Sequence, residues 1–194
     1  RMVVGTIERG GPRIVISTPY SGWFQCGGER GSGLAVFLGL ARWAADRDSS
    51  VSYVFVATSA HELGYAGMVD FIDAHAPKPE ETLLWLHLGA SVAVLDRRGG
   101  GEEPNDARGP TAMTNNPAWE PILRNAFASL GNVEVTQSRQ PGGELILALQ
   151  RGYRGINLAG GGNAHFHCPS DTAENCAPEL LEPVAKALAQ ALGA

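Results

Sequence analysis

Val51-Ser52-Tyr53-Val54-Phe55-Val56-Ala57, followed by Thr58-Ser59-Ala60 and then His61-Glu62, is the stretch on which the fold turns. A nearly continuous apolar run of this length, rich in β-branched and aromatic residues, reads as a strand covered on both faces. A strand with one wet face would alternate instead. Working outward, Arg13–Thr18, Thr82–Leu88 and Gly155–Leu158 read as further strands of the same sheet. Between them lie segments with helical spacing: Leu34–Ala45 (apolar at Leu34, Phe37, Leu38, Ala41 and Ala45), Gly64–Ala74, Pro117–Leu130 and the short Glu144–Gln150. Asp171–Leu192 reads as a last helix, with Asp171 and Glu174 spaced as a capping box. Strands alternating with helices predict an α/β three-layer sandwich, a mixed, mostly parallel sheet with helices on both faces.

The smaller pieces are placed around this frame. Met2–Ile7 is expected to form a hairpin with Arg13–Thr18 across Gly10-Gly11-Pro12. Val92–Leu95 is expected to extend the sheet, and Val133–Thr136 to form another strand. Arg97–Pro110 is the one long loop, overhanging a site or partly disordered. The 194 residues suit one domain over 1–194 with a buried core. The 44% hydrophobic and 18% charged content is that of a globular chain. A formal net charge of -5 provides no basic face for nucleic acid. No apolar run approaches the roughly 20 residues of a membrane span. The chain opens at Arg1 without a methionine or a signal peptide and reads as trimmed at its N-terminus. Localisation therefore stays open between periplasmic or extracellular and cytoplasmic, and oligomeric state stays open as well. Cys26, Cys168 and Cys176 match no zinc-ribbon spacing, and their odd number leaves a free thiol unless one pairs with another chain.

Acids and imidazoles fall just beyond these strands. Glu29 lies in the glycine-rich loop Gly22–Gly33, His61-Glu62 follows the strand Val51–Ala57, and His87 ends the strand Thr82–Leu88. His165-Phe166-His167 follows the last strand after Gly160-Gly161-Gly162. Parallel strands bring such ends to one edge, where α/β sheets carry their working residues. Carboxylate with imidazole is the donor mixture that zinc takes. Each residue also has a plain reading, as a solvated acid, a helix N-terminal acid or a satisfied core histidine.

In order, these segments resemble the co-catalytic zinc exopeptidases, which include bacterial leucyl aminopeptidases, glutamate carboxypeptidase and glutaminyl cyclases. The family's opening His-x-Asp-Ser corresponds to Thr18-Pro19-Tyr20-Ser21, and its Gly-Ala-x-Asp-x-x-Ser-Gly loop to Gly27-Gly28-Glu29-Arg30-Gly31-Ser32-Gly33. Its Glu-Glu-x-Gly corresponds to His61-Glu62-Leu63-Gly64, with Gly67 as the glycine that follows. The strand ending in a metal-binding Asp corresponds to Leu83–Leu88, where His87 is nearest, and the closing motif is His167-Cys168-Pro169-Ser170-Asp171-Thr172.

The resemblance implies a zinc-dependent hydrolase of peptide or other amide bonds, but the chain departs from it at the metals. Thr18 stands where the first metal's histidine ligand belongs and Tyr20 where the family has an Asp two residues later, so one zinc at most, or none, is expected. Glu29, Glu62 and His167 are the implied ligands of the second metal. His61 stands at the position of the general base, and a neutral imidazole can take a proton near pH 7. His87 is open between an extra ligand, a partner of a reacting group and a buried structural residue. Asp171 is expected to cap the last helix and to hold the His167 ring. Glu144 is expected to face a substrate amine, and Trp23, with Phe24, to form an apolar wall for a small peptide or amino-acid-derived substrate. Converging ligands would also bring Cys26 beside Cys168, with Cys168–Cys176 as the rival pair. The alternative is a catalytically inactive peptidase-like domain used for binding.

Overall fold

The computed structural model describes residues 1–96, 106–160 and 162–193. In chain order the strands are β1 (Val3–Ile7), β2 (Arg13–Pro19), β3 (Ser52–Thr58), β4 (Thr82–Leu88), β5 (Val94–Asp96), β6 (Asp106–Arg108), β7 (Thr111–Thr114), β8 (Glu134–Gln137) and β9 (Gly155–Ala159). The helices are α1 (Ser32–Asp46), α2 (Ala66–Ala74), α3 (Trp119–Ala126), α4 (Leu145–Gln150) and α5 (Pro178–Leu192). Seven strands form one sheet in the order β1-β3-β2-β4-β9-β7-β8. β3, β2, β4 and β9 run parallel to one another, and β7 runs parallel to β8. β1 on β3 and β7 on β9 are the antiparallel contacts.

The period-2 alternation of side chains assigns each strand residue to one of two helical layers. Ile14, Ile16, Tyr53, Phe55, Leu84 and Leu86 pack with Val36, Leu40 and Val184 of α1 and α5. Their neighbours Val15, Val54, Val56 and Trp85 face the other way, onto Met68 and Phe71 of α2 and Leu145 and Ala148 of α4. The seven residues of β3 are all buried, as a strand sandwiched on both faces must be. The three-layer α/β expectation therefore holds. Among the described residues no helix is long and apolar enough to cross a membrane.

The edges differ from the sequence expectations. β1 and β2 do not form a hairpin: β1 pairs with the far side of β3, Val3 opposite Ala57 through Ile7 opposite Tyr53. The interior of β2 is buried and needs neighbours on both sides, which β3 and β4 supply, whereas β1 is largely exposed and suits an edge. The glycine turn reports a reversal of direction, not adjacency. Val92–Leu95 does not extend the main sheet either, since Val94–Asp96 pairs with β6 in a separate two-stranded ribbon. β7 was not foreseen from the sequence. The last helix starts at Pro178, seven residues later than expected, with a short 3₁₀ turn, Ala173–Asn175, before it. Proline in the first helical turn loses no hydrogen bond. The expected long loop Arg97–Pro110 lies outside the described residues over 97–105, and within its described part Asp106–Arg108 is the strand β6, not loop.

Candidate functional site

Because β2, β3, β4 and β9 are parallel, their carboxyl ends share one edge, and the loops leaving β2, β3 and β9 build the site there. The loop after β2 closes in a π-type turn, Gly27–Gly31, in which Gly31 N–H reaches back to Cys26 C=O at 3.3 Å. Turns of this kind recur at functional sites. Asp171 holds it, accepting from Gly28 N–H and Glu29 N–H at 2.9 Å each, one carboxylate oxygen apiece. Gly27 makes the close approach possible, because a Cβ there would lie 2.3 Å from the Thr172 carbonyl carbon. Asp171 therefore neither caps α5 nor bonds the His167 ring. Its carboxylate is committed to the turn that carries Glu29, and the late start of α5 leaves Ala177 at the cap.

Backbone strain gathers at the same edge. Cys26, Ala60, Tyr65, Ser91 and His167 all have positive φ, between 41° and 62°. Left-handed conformations of non-glycine residues cost energy and persist where the surrounding structure over-determines them.

Glu29, Glu62 and His167 converge, as the sequence implied, with their potential ligand atoms within 4.8 Å of one another. His167 Nε2 lies 3.3 Å from Glu29 Oε1 and 3.5 Å from Glu62 Oε1. Three donors on a tetrahedral zinc with bonds of 2.0–2.2 Å would be about 3.3–3.6 Å apart, so the donor kinds and the two histidine–carboxylate separations suit zinc, while the set as a whole spans up to 4.8 Å.

Sequence reasoning missed the fourth member. Arg30, 2% exposed, places Nη2 2.7 Å from Glu29 Oε1 and 2.8 Å from Glu62 Oε1. The second contact is an aligned hydrogen bond, whereas the first is a charge contact only, and neither oxygen of Glu29 accepts a hydrogen bond. Any zinc bonded to Glu29 Oε1 would lie no more than about 5 Å from that nitrogen. A dication and a guanidinium at that separation repel by about 7 kcal/mol at an effective dielectric constant of 20. With Arg30 in this position the cluster does not fit a metal. An arginine beside an acid in a glycine-rich loop reads as solvated. The signal that could have exposed it is its place beside the one acid the resemblance puts at the metal.

The remaining side chains are organised by hydrogen bonds. His61 Nδ1 lies 2.9 Å from Glu144 Oε1, and Thr58 Oγ1 donates to Glu144 Oε2 at 2.7 Å. Glu144, fully buried, thus holds His61 and Thr58, and does not face a substrate amine. Burial forces this, since an enclosed carboxylate needs partners from its own chain. Near the carboxyl end of β2, Thr18 Oγ1 donates to Leu88 C=O at 2.9 Å. His87 Nδ1 lies 2.9 Å from Ser17 Oγ, which accepts from Trp85 Nε1 at 2.7 Å. Burial pushes the His87 pKa down from 6.5 to about 4, with Glu144 opposing the shift. Of its three open readings, the structure has the buried, hydrogen-bonded one. Its other edge faces the turn before Glu144, where a Cβ on Gly143 (φ +58°) would stand 3.3 Å from His87 Nε2. Trp23 is half exposed, in the loop after β2. All three cysteines are free thiols. The Cys176 thiol donates to Gly27 C=O at 3.2 Å, whereas the Cys168 thiol is directed to its neighbour Phe166 C=O.

No protein-family model and no curated protein matches the chain. Solved structures do. A zinc aminopeptidase from Bacillus subtilis superposes with a TM-score of 0.77 at 18% identity, over 98% of this chain and 48% of its own. The glutaminyl cyclase of Porphyromonas gingivalis gives 0.75 at 12% identity, over 99% and 76%. Nicastrin, a component of gamma-secretase, gives 0.73 at 10% identity, over 98% and 42%. The chain spans about half the length of the aminopeptidase it matches. At these identities the likeness is one of fold, and the chain accordingly has the α/β fold of the zinc exopeptidases, with Glu29 and Glu62 gathered around an arginine.

Proposed function

We propose that this domain binds a peptide or amino-acid-derived ligand at the carboxyl edge of its sheet. The observation that carries the reading is an apolar rim around a buried charged cluster. Tyr20, Trp23, Phe24, Leu63 and Phe166 are all between 39% and 73% exposed, and all lie in the loops leaving β2, β3 and β9. Five large apolar side chains left wet on loops of one edge mark an interaction surface. Phe166 stacks on the His167 ring, with centroids 4.0 Å apart, so the rim touches the cluster itself. Apolar side chains of a ligand would meet the rim, and its polar backbone or amine would meet His61, Glu62 and His167. One similar structure is named as a component of an assembly, gamma-secretase.

A second reading is an amide hydrolase with a single zinc on Glu29, Glu62 and His167. The spacing of those three donors favours it, and the position of Arg30 opposes it. A panel of aminoacyl and N-terminal glutaminyl peptides separates the two readings, with binding followed by tryptophan fluorescence and products by mass spectrometry. Saturable binding without product, weakened about tenfold or more by Trp23→Ala or Phe24→Ala, is expected. Product formation that a chelator abolishes would establish the hydrolase reading. Equal binding by wild type and rim variants would remove the rim from the account.

A further inference from the structure

His167 stands at a tetrahedral-edge distance from both Glu29 and Glu62, the three donors lie within 4.8 Å of one another, and a guanidinium is held between the two carboxylates. From this geometry we infer that the cluster is a latent zinc site locked by Arg30, so that removing one side chain converts an ion-paired pocket into a metal site. The inference rests on the reading that the pocket binds rather than hydrolyses, and it explains how the pocket keeps its acids.

Two fixed charges are held at the base of the pocket, with Glu29 fully buried and Glu62 21% exposed at the side chain. Buried carboxylates are not tolerated bare. A divalent ion is one remedy, and Arg30 is the other. The exchange is one cation for another on the same oxygens, so the carboxylates need only draw together around the smaller ion when the cation changes. That accounts for histidine–carboxylate separations of 3.3 and 3.5 Å, close to a tetrahedral edge, in a cluster whose cation is a guanidinium.

A second observation is independent of Arg30. Glu29 Oε2 is buried and has no hydrogen-bond partner, although the backbone of the same residue is held by Asp171. A pocket evolved around the guanidinium would be expected to use both oxygens, as paired carboxylates do in bidentate arginine contacts. This carboxylate instead offers a spare oxygen, as a metal-binding carboxylate can. Arg30 is likewise incompletely served, because its Nε is buried without a partner. The lock fits the pocket less well than the donors fit one another.

The test titrates zinc chloride into the full chain, purified without metal, in four forms: wild type, Arg30→Lys, Arg30→Gln and Arg30→Ala. Bound metal is counted by mass analysis, affinity is taken from calorimetry, and the thermal midpoint is followed in parallel. Wild type and Arg30→Lys, which keep a cation, should bind no zinc at about 10 µM. Arg30→Gln and Arg30→Ala should bind one equivalent, at least about 100-fold more tightly than wild type, with a rise in midpoint on addition of zinc. Adding Glu62→Ala to Arg30→Ala should abolish that binding. If the neutral variants fold only when zinc is supplied, the inference stands, because the ion has then replaced the guanidinium as counter-charge. Neutral variants that fold and ignore zinc, or that stay unfolded with it, would overturn the inference while leaving the binding reading intact. Zinc bound by wild type as tightly as by Arg30→Ala would show that Arg30 is no lock. The peptide panel tests the binding reading separately.

Discussion

Thr18 and His87 on one side of the pocket, and Glu29 and Arg30 on the other, are all at most 2% exposed, yet they are kept there by opposite means. The first side is neutral. Thr18 is satisfied by a strand carbonyl, and His87 bonds Ser17 through Nδ1 while its buried Nε2 has no partner, with its pKa pushed down so that it stays uncharged. The second side is fully charged and balanced internally, an arginine against two glutamates. A neutral side has no charge to balance, whereas an ion-paired side keeps its acids and balances them with a cation. The two sides should therefore respond differently to mutation and to pH.

The largest expected effect lies on the charged side. Glu29→Ala leaves a buried guanidinium with only the partly exposed Glu62, and breaking a buried pair in this way costs about 3–5 kcal/mol. Urea unfolding of the variant against wild type reads it directly. A loss below about 1 kcal/mol would mean that the charged side contributes no more than an ordinary hydrogen bond.

Next comes the pH dependence of the neutral side. Unfolded, the His87 imidazole takes a proton near its ordinary 6.5; folded, it does so only near 4. Between those values the unfolded chain binds more protons, so stability rises with pH across that window. The contribution is fully present above about pH 6.5 and lost as pH falls towards 4, in total about 3 kcal/mol. Subtracting the profile of His87→Gln from that of wild type should isolate it from the carboxylates. Superimposable slopes would show that His87 does not carry this dependence. The smallest effect is Thr18→Val, which removes one hydroxyl hydrogen bond to Leu88 C=O and should cost about 1 kcal/mol by thermal unfolding. A loss of 3 kcal/mol or more would give Thr18 a larger part than one bond.

The centre of the fold was legible because β3, β4 and β9 are apolar on both faces, a pattern that only a sandwiched parallel sheet requires. The margins were not. β1 pairs beyond β3 because of where β2 finds its two neighbours, and no local signal in Met2–Ile7 encodes that. β7 has only four residues, too few for alternation to stand out. At the site, the convergence of Glu29, Glu62 and His167 followed from motif order and strand direction. Arg30, Asp171 and Glu144 were misread or missed because their partners lie far away in sequence: 32 residues from Arg30 to Glu62, 142 from Glu29 to Asp171 and 83 from His61 to Glu144. Spacing along a chain reports faces and turns, but not which charge will neutralise which.

The clamp between Asp171 and the Glu29 turn has a consequence for the order in which the molecule is completed. Its two hydrogen bonds join segments made 142 and 143 residues apart. Closing so long a loop carries an entropy that must be met before the contact stabilises anything. During synthesis, β2, β3 and β4 can pair before β9 has emerged, whereas the turn bearing Glu29 and Arg30 has only its bonds to Glu62 and Ser91 until Asp171 leaves the ribosome. The nascent sheet therefore carries Glu29 and Arg30 on a loop without its Asp171 clamp, and the charged pocket is among the last parts of this chain to be assembled.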